Sequence, residues 1–249
     1  MTSDSRAYSD RHLDPREAIA YRAKFRRGIL RRLSHFEERR IVRKAFEEAL
    51  DLLPPAIVKE EGRPRLLDYP CGAGRFARLF ANGANRLGGR YVAADHSPSM
   101  LAICARELEE HDVVAEAFVE GDAREMPLAD AAFDIACCIR LLHHFRPREE
   151  RVRILSEFRR VSTGPLVATF LDADAAKQRR HSERCRREGR ENRRAIVTRA
   201  ELQCEAADAG YRLVSVRELS GRFSGQCVAV FAPVGVVVGM TPMAQELAG

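Results

Sequence analysis

Apolar positions change their period near residue 65, and the change divides the sequence into two kinds of structure. Before it, Tyr21, Phe25, Ile29 and Leu33 recur every four residues with arginines between them, which predicts an amphipathic helix over 15–33. Ser34 and Glu37 have capping-box spacing, so a second helix is expected to start there. Its stripe is Ile41, Val42, Ala45, Phe46, Ala49 and Leu50, and Pro54 and Pro55 stop it. From Arg65 onward, short apolar runs at 66–67, 91–94, 115–119, 133–139 and 165–170 alternate with helical patterns at 75–81, 98–109 and 148–161. Alternation of this kind predicts βαβ units and a parallel sheet. Ser97 is placed to cap the helix at 98–109.

The final third reads differently. A helix is predicted over 198–209, with Thr198 as N-cap, Glu201 three residues on and Gly210 closing it. Strands at 212–217 and 226–231, joined by the turn-rich 220–225, predict an antiparallel hairpin at the sheet edge. No element is read in 234–249. The resulting division is an N-terminal helical cap (1–58), a core (59–233) with an insertion at about 174–197, and a tail (234–249).

The sharpest local signal is Leu67-Asp68-Tyr69-Pro70-Cys71-Gly72-Ala73-Gly74, a strand followed by a glycine turn and a helix. Glycines there let the backbone approach a ligand closely, and Asp68 at the strand end can accept from a cationic group. Taken alone, a G-x-G is most simply a turn into a helix. With Ala77 the run also satisfies G-x-G-x-x-A, so a dinucleotide-binding domain has to be weighed. Asp95 ends the second predicted strand, where a carboxylate can accept both ribose hydroxyls of an adenosine. That position serves a nicotinamide dinucleotide equally well. Asp122 follows the third strand as either an adenine acceptor or a turn aspartate. The fourth strand runs into Arg140-Leu141-Leu142-His143-His144 at the switch-point face. No Tyr-x-x-x-Lys pair follows that strand, which disfavours an NAD(P)-dependent reductase.

Taken in order, these segments resemble the class I S-adenosylmethionine (SAM)-dependent methyltransferases, in particular the small-molecule type 11, UbiE-like group. The first motif is 67–74, the second is Asp95-His96-Ser97-Pro98-Ser99-Met100-Leu101, and the third is Gly121-Asp122-Ala123 with Phe133-Asp134. Pro70 stands where the family usually has its first glycine. The resemblance implies a doubly wound α/β fold, a mostly parallel seven-stranded Rossmann-like sheet with an antiparallel C-terminal edge hairpin. It implies SAM as cofactor and no metal. Asp68, Tyr69, Cys71, Gly72 and Gly74 would surround the methionine and sulfonium part, and Asp95, His96 and Ser97 the ribose. Met100, Asp122 and Ala123 would meet the adenine, and Arg140 and Leu141 the cofactor floor.

Composition narrows the setting. With 249 residues, 45% hydrophobic and 31% charged, and no apolar run near the roughly 20 residues of a membrane span, the chain reads as one elaborated globular domain. The polar N-terminus lacks a signal-peptide pattern, so a cytoplasmic setting is expected. Seven cysteines show no C-x-x-C pair, which argues for reduced thiols rather than a zinc or disulfide framework. Residues 177–194 hold nine basic residues against three acids, an excess equal to the whole-chain charge of +6.

That stretch has two readings. It is a solvated helix supported by pairs such as Glu183 with Arg187, with Arg190 and Arg194 on the same face, or it is a lid for an anionic acceptor. The expected partner is a small-molecule acceptor, anionic or lipid-like. RNA and a membrane surface are less favoured, because no aromatic residue interleaves the arginines. His143 is the candidate base because histidine titrates near neutrality, and one of the adjacent pair His143 and His144 is expected to turn away. Tyr8, His12 and Tyr21 are further candidates on the acceptor side. An RNA methyltransferase and a SAM-binding protein without catalysis are the alternatives.

Overall fold

The structure is a computed structural model that describes residues 29–61, 63–219 and 225–235. In chain order the elements are α1 (Ile29–Asp51), α2 (Pro55–Lys59), β1 (Arg65–Asp68), α3 (Ala77–Asn85), β2 (Arg90–Asp95), α4 (Pro98–Glu109), β3 (Ala117–Glu120) and β4 (Ile135–Cys138). They continue with a 3₁₀ turn (Leu142–His144), α5 (Arg148–Val161), β5 (Leu166–Leu171), α6 (Ala176–Arg187), α7 (Arg199–Asp208), β6 (Tyr211–Glu218) and β7 (Gln226–Pro233).

The seven strands form one sheet in the order β3-β2-β1-β4-β5-β7-β6. The first five pair in parallel, and β7 runs antiparallel between β5 and β6. This is the expected sheet with its edge hairpin; the turn between β6 and β7 lies outside the described residues. Alternate residues of each strand point to opposite faces, so Leu66, Tyr91, Ala93 and Ile135 join the side chains of α1, α3 and α4. Leu67, Val92, Ala94 and Ala136 join those of α5 and α7. Helices on both faces explain why the strands read as apolar runs rather than alternating patterns.

Local signals account for most helix ends. Ser97 Oγ accepts from the Met100 N–H at 3.3 Å with Pro98 opening α4. Thr198 and Glu201 form the reciprocal capping box of α7, at 3.1 and 2.7 Å. Two expectations fail in the N-terminal part. No break occurs at Ser34: α1 passes through it, because neither proline nor glycine interrupts the run and a serine inside a helix costs only a fraction of a kcal/mol. Pro55 does not only stop a helix, since it also occupies the first position of α2, where its missing N–H is no loss. The earlier part of the first predicted helix, 15–28, lies outside the described residues.

α1 belongs to the core. Its Phe46 ring meets Phe80 of α3 edge-on at 5.0 Å, and a Cβ on Gly83 would lie 2.3 Å from the Phe46 ring. Gly83 is therefore the residue that lets α1 seat on α3. On the other face, buried Arg151 of α5 donates to both carboxylate oxygens of buried Glu205 on α7, one of them at 3.0 Å, and fixes that helix pair.

Candidate active site

Strands β1, β2 and β3 end on the same side of the sheet, and the strand order reverses between β1 and β4, so a crevice opens there. The chain leaves β1 at Asp68 and enters the glycine turn. Gly72 takes a left-handed conformation (φ +53°) with open space where a Cβ would stand, and its N–H donates to Asp95 Oδ2 at 2.8 Å. Gly74 is also left-handed (φ +76°), but it faces away: a Cβ there would lie 3.1 Å from Cys104 Cα. Of the expected cofactor residues Gly74 alone does not border the cavity described next, and its part is to let the turn pack on α4.

The crevice deepens into a cavity of about 1730 Å³. At one end stand Asp68, Tyr69, Cys71 and Gly72 from the first motif, and Asp95, His96, Ser97 and Met100 from the second. Asp122, Ala123, Arg140 and Leu141 complete that end. Asp68 is buried and accepts from the Tyr91 hydroxyl at 2.9 Å. Burial pushes its carboxyl up to about 8, the Tyr91 bond opposing and the Asp95 charge adding to the rise. Asp95 accepts from the Gly72 N–H on one oxygen and from the Ser97 N–H on the other, at 2.9 Å, and the His96 backbone N–H also bonds its carboxylate. Its carboxyl is raised by burial, against the pull of those backbone bonds.

Asp122 stands in a turn on the cavity wall. It is a turn aspartate, accepting from the Arg124 backbone N–H at 2.8 Å, and it borders the cavity. Burial raises its carboxyl but the Arg124 side chain, bonded at 2.6 Å, lowers it further, so it lies below the ordinary carboxylate value. Asp134, the last acid of the third motif, is elsewhere: it accepts from Arg63 and from the Arg65 N–H at the opposite end of the sheet.

One cluster at this end left no trace in the sequence. Glu38 of α1 is only 3% exposed. Its carboxylate receives Arg75, from the glycine turn, and Arg140, from beyond β4, at 3.3 Å. Arg75 also donates to His35 Nδ1 at 3.0 Å. Burial, then the Arg75 charge, lower the His35 pKa to about 4. Arg140 is itself left-handed (φ +66°), with its N–H on Thr169 Oγ1 at 2.6 Å. A helix, a turn and two strands thus meet on one carboxylate.

The histidine pair departs from expectation in two ways. Both residues border the cavity, with ring centroids 4.0 Å apart, so neither turns away. His143 is 4% exposed, and burial, then the charges of His144, Arg140 and Arg194, hold its pKa well below 6.5. It is therefore neutral, not poised, at physiological pH. Its backbone carbonyl accepts from the Ala195 N–H at 2.9 Å, while its Nδ1 has no partner among the described residues. Tyr8, His12 and Tyr21 lie outside the described residues.

The other end of the cavity is basic, formed by α6 and the residues that follow it. The expected Glu183–Arg187 pair does not form among the described residues. Arg190 and Arg194 are not helical, because α6 ends at Arg187 and Gly189 turns the chain with φ +59°.

This geometry places acids, a glycine turn and an adenosine-sized crevice in the order of the three motifs. Residues 66–165 match the methyltransferase-domain family. The chain also resembles solved structures over most of its length. Magnesium protoporphyrin IX methyltransferase from Synechocystis, with S-adenosylhomocysteine (SAH) bound, is 15% identical with a TM-score of 0.72. That alignment covers 92% of this chain and 100% of that one. A SAM-dependent methyltransferase from Methanosarcina mazei is 19% identical, with a TM-score of 0.56 and coverage of 73% and 98%. The cyclase SpnF is 18% identical, with a TM-score of 0.58 and coverage of 79% and 81%. These likenesses establish the Rossmann-like methyltransferase fold. No curated protein sequence matches the chain.

Proposed function

We propose that this chain is a SAM-dependent methyltransferase of the type 11, UbiE-like group acting on a small-molecule acceptor, anionic or lipid-like. One observation carries the reading: carboxylates at the ends of β1, β2 and after β3 border a single cavity together with the open face of Gly72. The family match over 66–165 and the cofactor-bound neighbour support it.

The residues fit the cofactor. Asp68 supplies a buried carboxylate for an ammonium, and the Asp95 carboxylate, at the end of β2 and bordering the cavity, suits the ribose hydroxyls. Tyr69 Oη, buried with no partner among the described residues, offers a further polar contact. Bound SAM supplies an activated methyl group: an acceptor lone pair forms the new bond to the methyl carbon as the carbon–sulfur bond breaks and its electron pair returns to sulfur. The chain's own work is alignment of donor and acceptor and exclusion of water. His143, neutral in its buried setting, is placed to take a proton only from a comparatively acidic acceptor.

The test is thermal. SAM or SAH should raise the melting temperature, by the equivalent of about 2.7 kcal/mol at a hundredfold excess over Kd, and NADH should not. The reverse ranking would sink the reading. Weak basicity at His143 favours a second possibility, cofactor binding without methyl transfer. That reading is met if SAH binds while no acceptor fraction yields SAH from SAM.

A further inference from the structure

Charge along α6 is sorted by face. Gln178, His181 and Cys185 form the stripe turned toward the protein body, with Gln178 and Cys185 buried and the Cys185 thiol 3.6 Å from the His181 ring. Lys177, Arg180, Arg184 and Arg187, spaced by three, four and three residues, fill the neighbouring arc, and all border the cavity. Arg179 and Arg186 fall on the opposite side and do not.

Elsewhere the arginines meet acids: Arg65 reaches Glu116 at 3.3 Å, Arg124 reaches Asp122 and Arg199 reaches Asp172 at 2.9 Å. Along the cavity side of α6 and just after it, most do not. Among the described residues no carboxylate pairs with Arg180, Arg184, Arg187, Arg193 or Arg194. Of the acids beside them, Glu188 pairs with Arg190 and Glu191 with Arg146 at 2.9 Å, while Glu183 borders the same cavity without an ion pair among the described residues, so the basic residues keep a net excess there. Unpaired like charges along one concave wall repel one another, and an anion entering among them removes that cost. Asn192 Nδ2, beside them, has no partner among the described residues.

The cavity has room for a second ligand. Its volume of about 1730 Å³ exceeds the roughly 300–1,000 Å³ typical of a single-ligand pocket, and the strand-end acids and the α6 arginines on its wall come from different elements. From Lys177 to Arg187 the basic arc runs about 15 Å, at ~1.5 Å per residue. We infer that this wall binds an acceptor carrying at least two anionic groups, carboxylates or phosphates, separated along its length. The inference rests on the methyltransferase reading only for what lies at the other end of the cavity.

Two double variants with the same charge change separate a site from diffuse electrostatics. Arg180→Gln/Arg187→Gln alters the cavity wall, and Arg179→Gln/Arg186→Gln alters the outer face. Calorimetric titration of the full chain with tripolyphosphate and with tricarballylate should show about a tenfold or greater loss of affinity in the first variant and less than about twofold in the second. The ranking of the two probes distinguishes phosphate from carboxylate. Equal losses in both variants, or none in either, overturn the site. Orthophosphate or acetate binding as well as the longer probes overturns the two-group acceptor. Retention of a uridine 20-mer that both variants weaken alike points to a nucleic-acid surface instead and also overturns the proposal. Arg180→Lys/Arg187→Lys guards against misfolding, and should retain most of the parental affinity. SAH is titrated in parallel: its failure to bind the parent removes the methyltransferase reading, while the anion result stands on its own.

Discussion

Glu38 and Arg140 lie 102 residues apart in sequence and meet at 3.3 Å, with Arg75 held on the same carboxylate. The contact joins the first described helix to the cofactor-side ends of the sheet. Losing one partner of a fully buried ion pair costs about 3–5 kcal/mol. Here the Arg140 side chain is 31% exposed, and solvent screens its share. Glu38→Gln should therefore cost about 2–3 kcal/mol in denaturant unfolding and weaken SAH binding, because Arg75 and Arg140 lose their common anchor. Unchanged unfolding and unchanged SAH affinity would mean that the contact does no mechanical work.

Asp95 is bonded to the backbone on both oxygens, so its removal disturbs the turn as well as the ligand. Asp95→Asn keeps the size of the side chain and removes the charge, and because its NH2 cannot accept it gives up one of the two backbone bonds. SAH affinity should fall by an amount on the order of 1.5–3 kcal/mol, the range for hydrogen bonds to charged groups, with little change in far-UV circular dichroism. Titration calorimetry on this variant reads the ribose contact, and parental affinity would show that Asp95 serves the turn alone.

Asp68 sets a pH dependence whose sign follows from its raised pKa. Between its ordinary value of 3.8 and about 8 the folded chain holds a proton that the unfolded chain releases. This contribution to stability is complete below about pH 4 and is lost as pH rises through about 8. If the carboxylate pairs with the ammonium of the cofactor, SAH binding at pH 7 must release that proton. Calorimetry in two buffers of different ionisation enthalpy should detect the release, and Asp68→Asn should abolish it.

The histidines act in the opposite sense. His35 titrates at about 4 when folded, against 6.5 when free, and His143 is also lowered. Their contribution is present above pH 6.5 and is lost as pH falls toward 4. His35→Gln, whose amide oxygen can still accept from Arg75, should flatten the acid limb of the melting-temperature profile. An unaltered acid limb would place the proton uptake elsewhere.

What the sequence disclosed follows from the range of each signal. Caps and turn residues act over three or four positions, so α4 and α7 were legible nearly to the residue from Ser97 and Thr198. The acids at strand ends were legible because the βαβ alternation returns each strand to the same edge. The Glu38 cluster was not, since no local pattern brings 38, 75 and 140 together. β4 was overread because Phe133, apolar and next to the run, makes only an isolated bridge to Ser162. The neutral state of His143 required knowledge of its burial. In the basic stretch, composition gave the charge excess, but only the placement of α6 shows which arginines turn toward the cavity.

The position of β7 has a consequence for the order in which the molecule can be assembled on the ribosome. Its residues come late in the chain, yet it is buried on both faces in the interior of the sheet, and Val228 and Val230 pack with Val42 and Phe46 of α1. The helix made first thus waits for the strand made last, roughly 175 residues later, or about 9–35 s at ~5–20 residues per second. Until then β5 is an open sheet edge and the apolar stripe of α1 has α3 but not β7 to pack on. Completion of the α1 seat is accordingly a late event, so that a nascent chain carries its complete first, second and third motifs before the packing behind the crevice they border is finished.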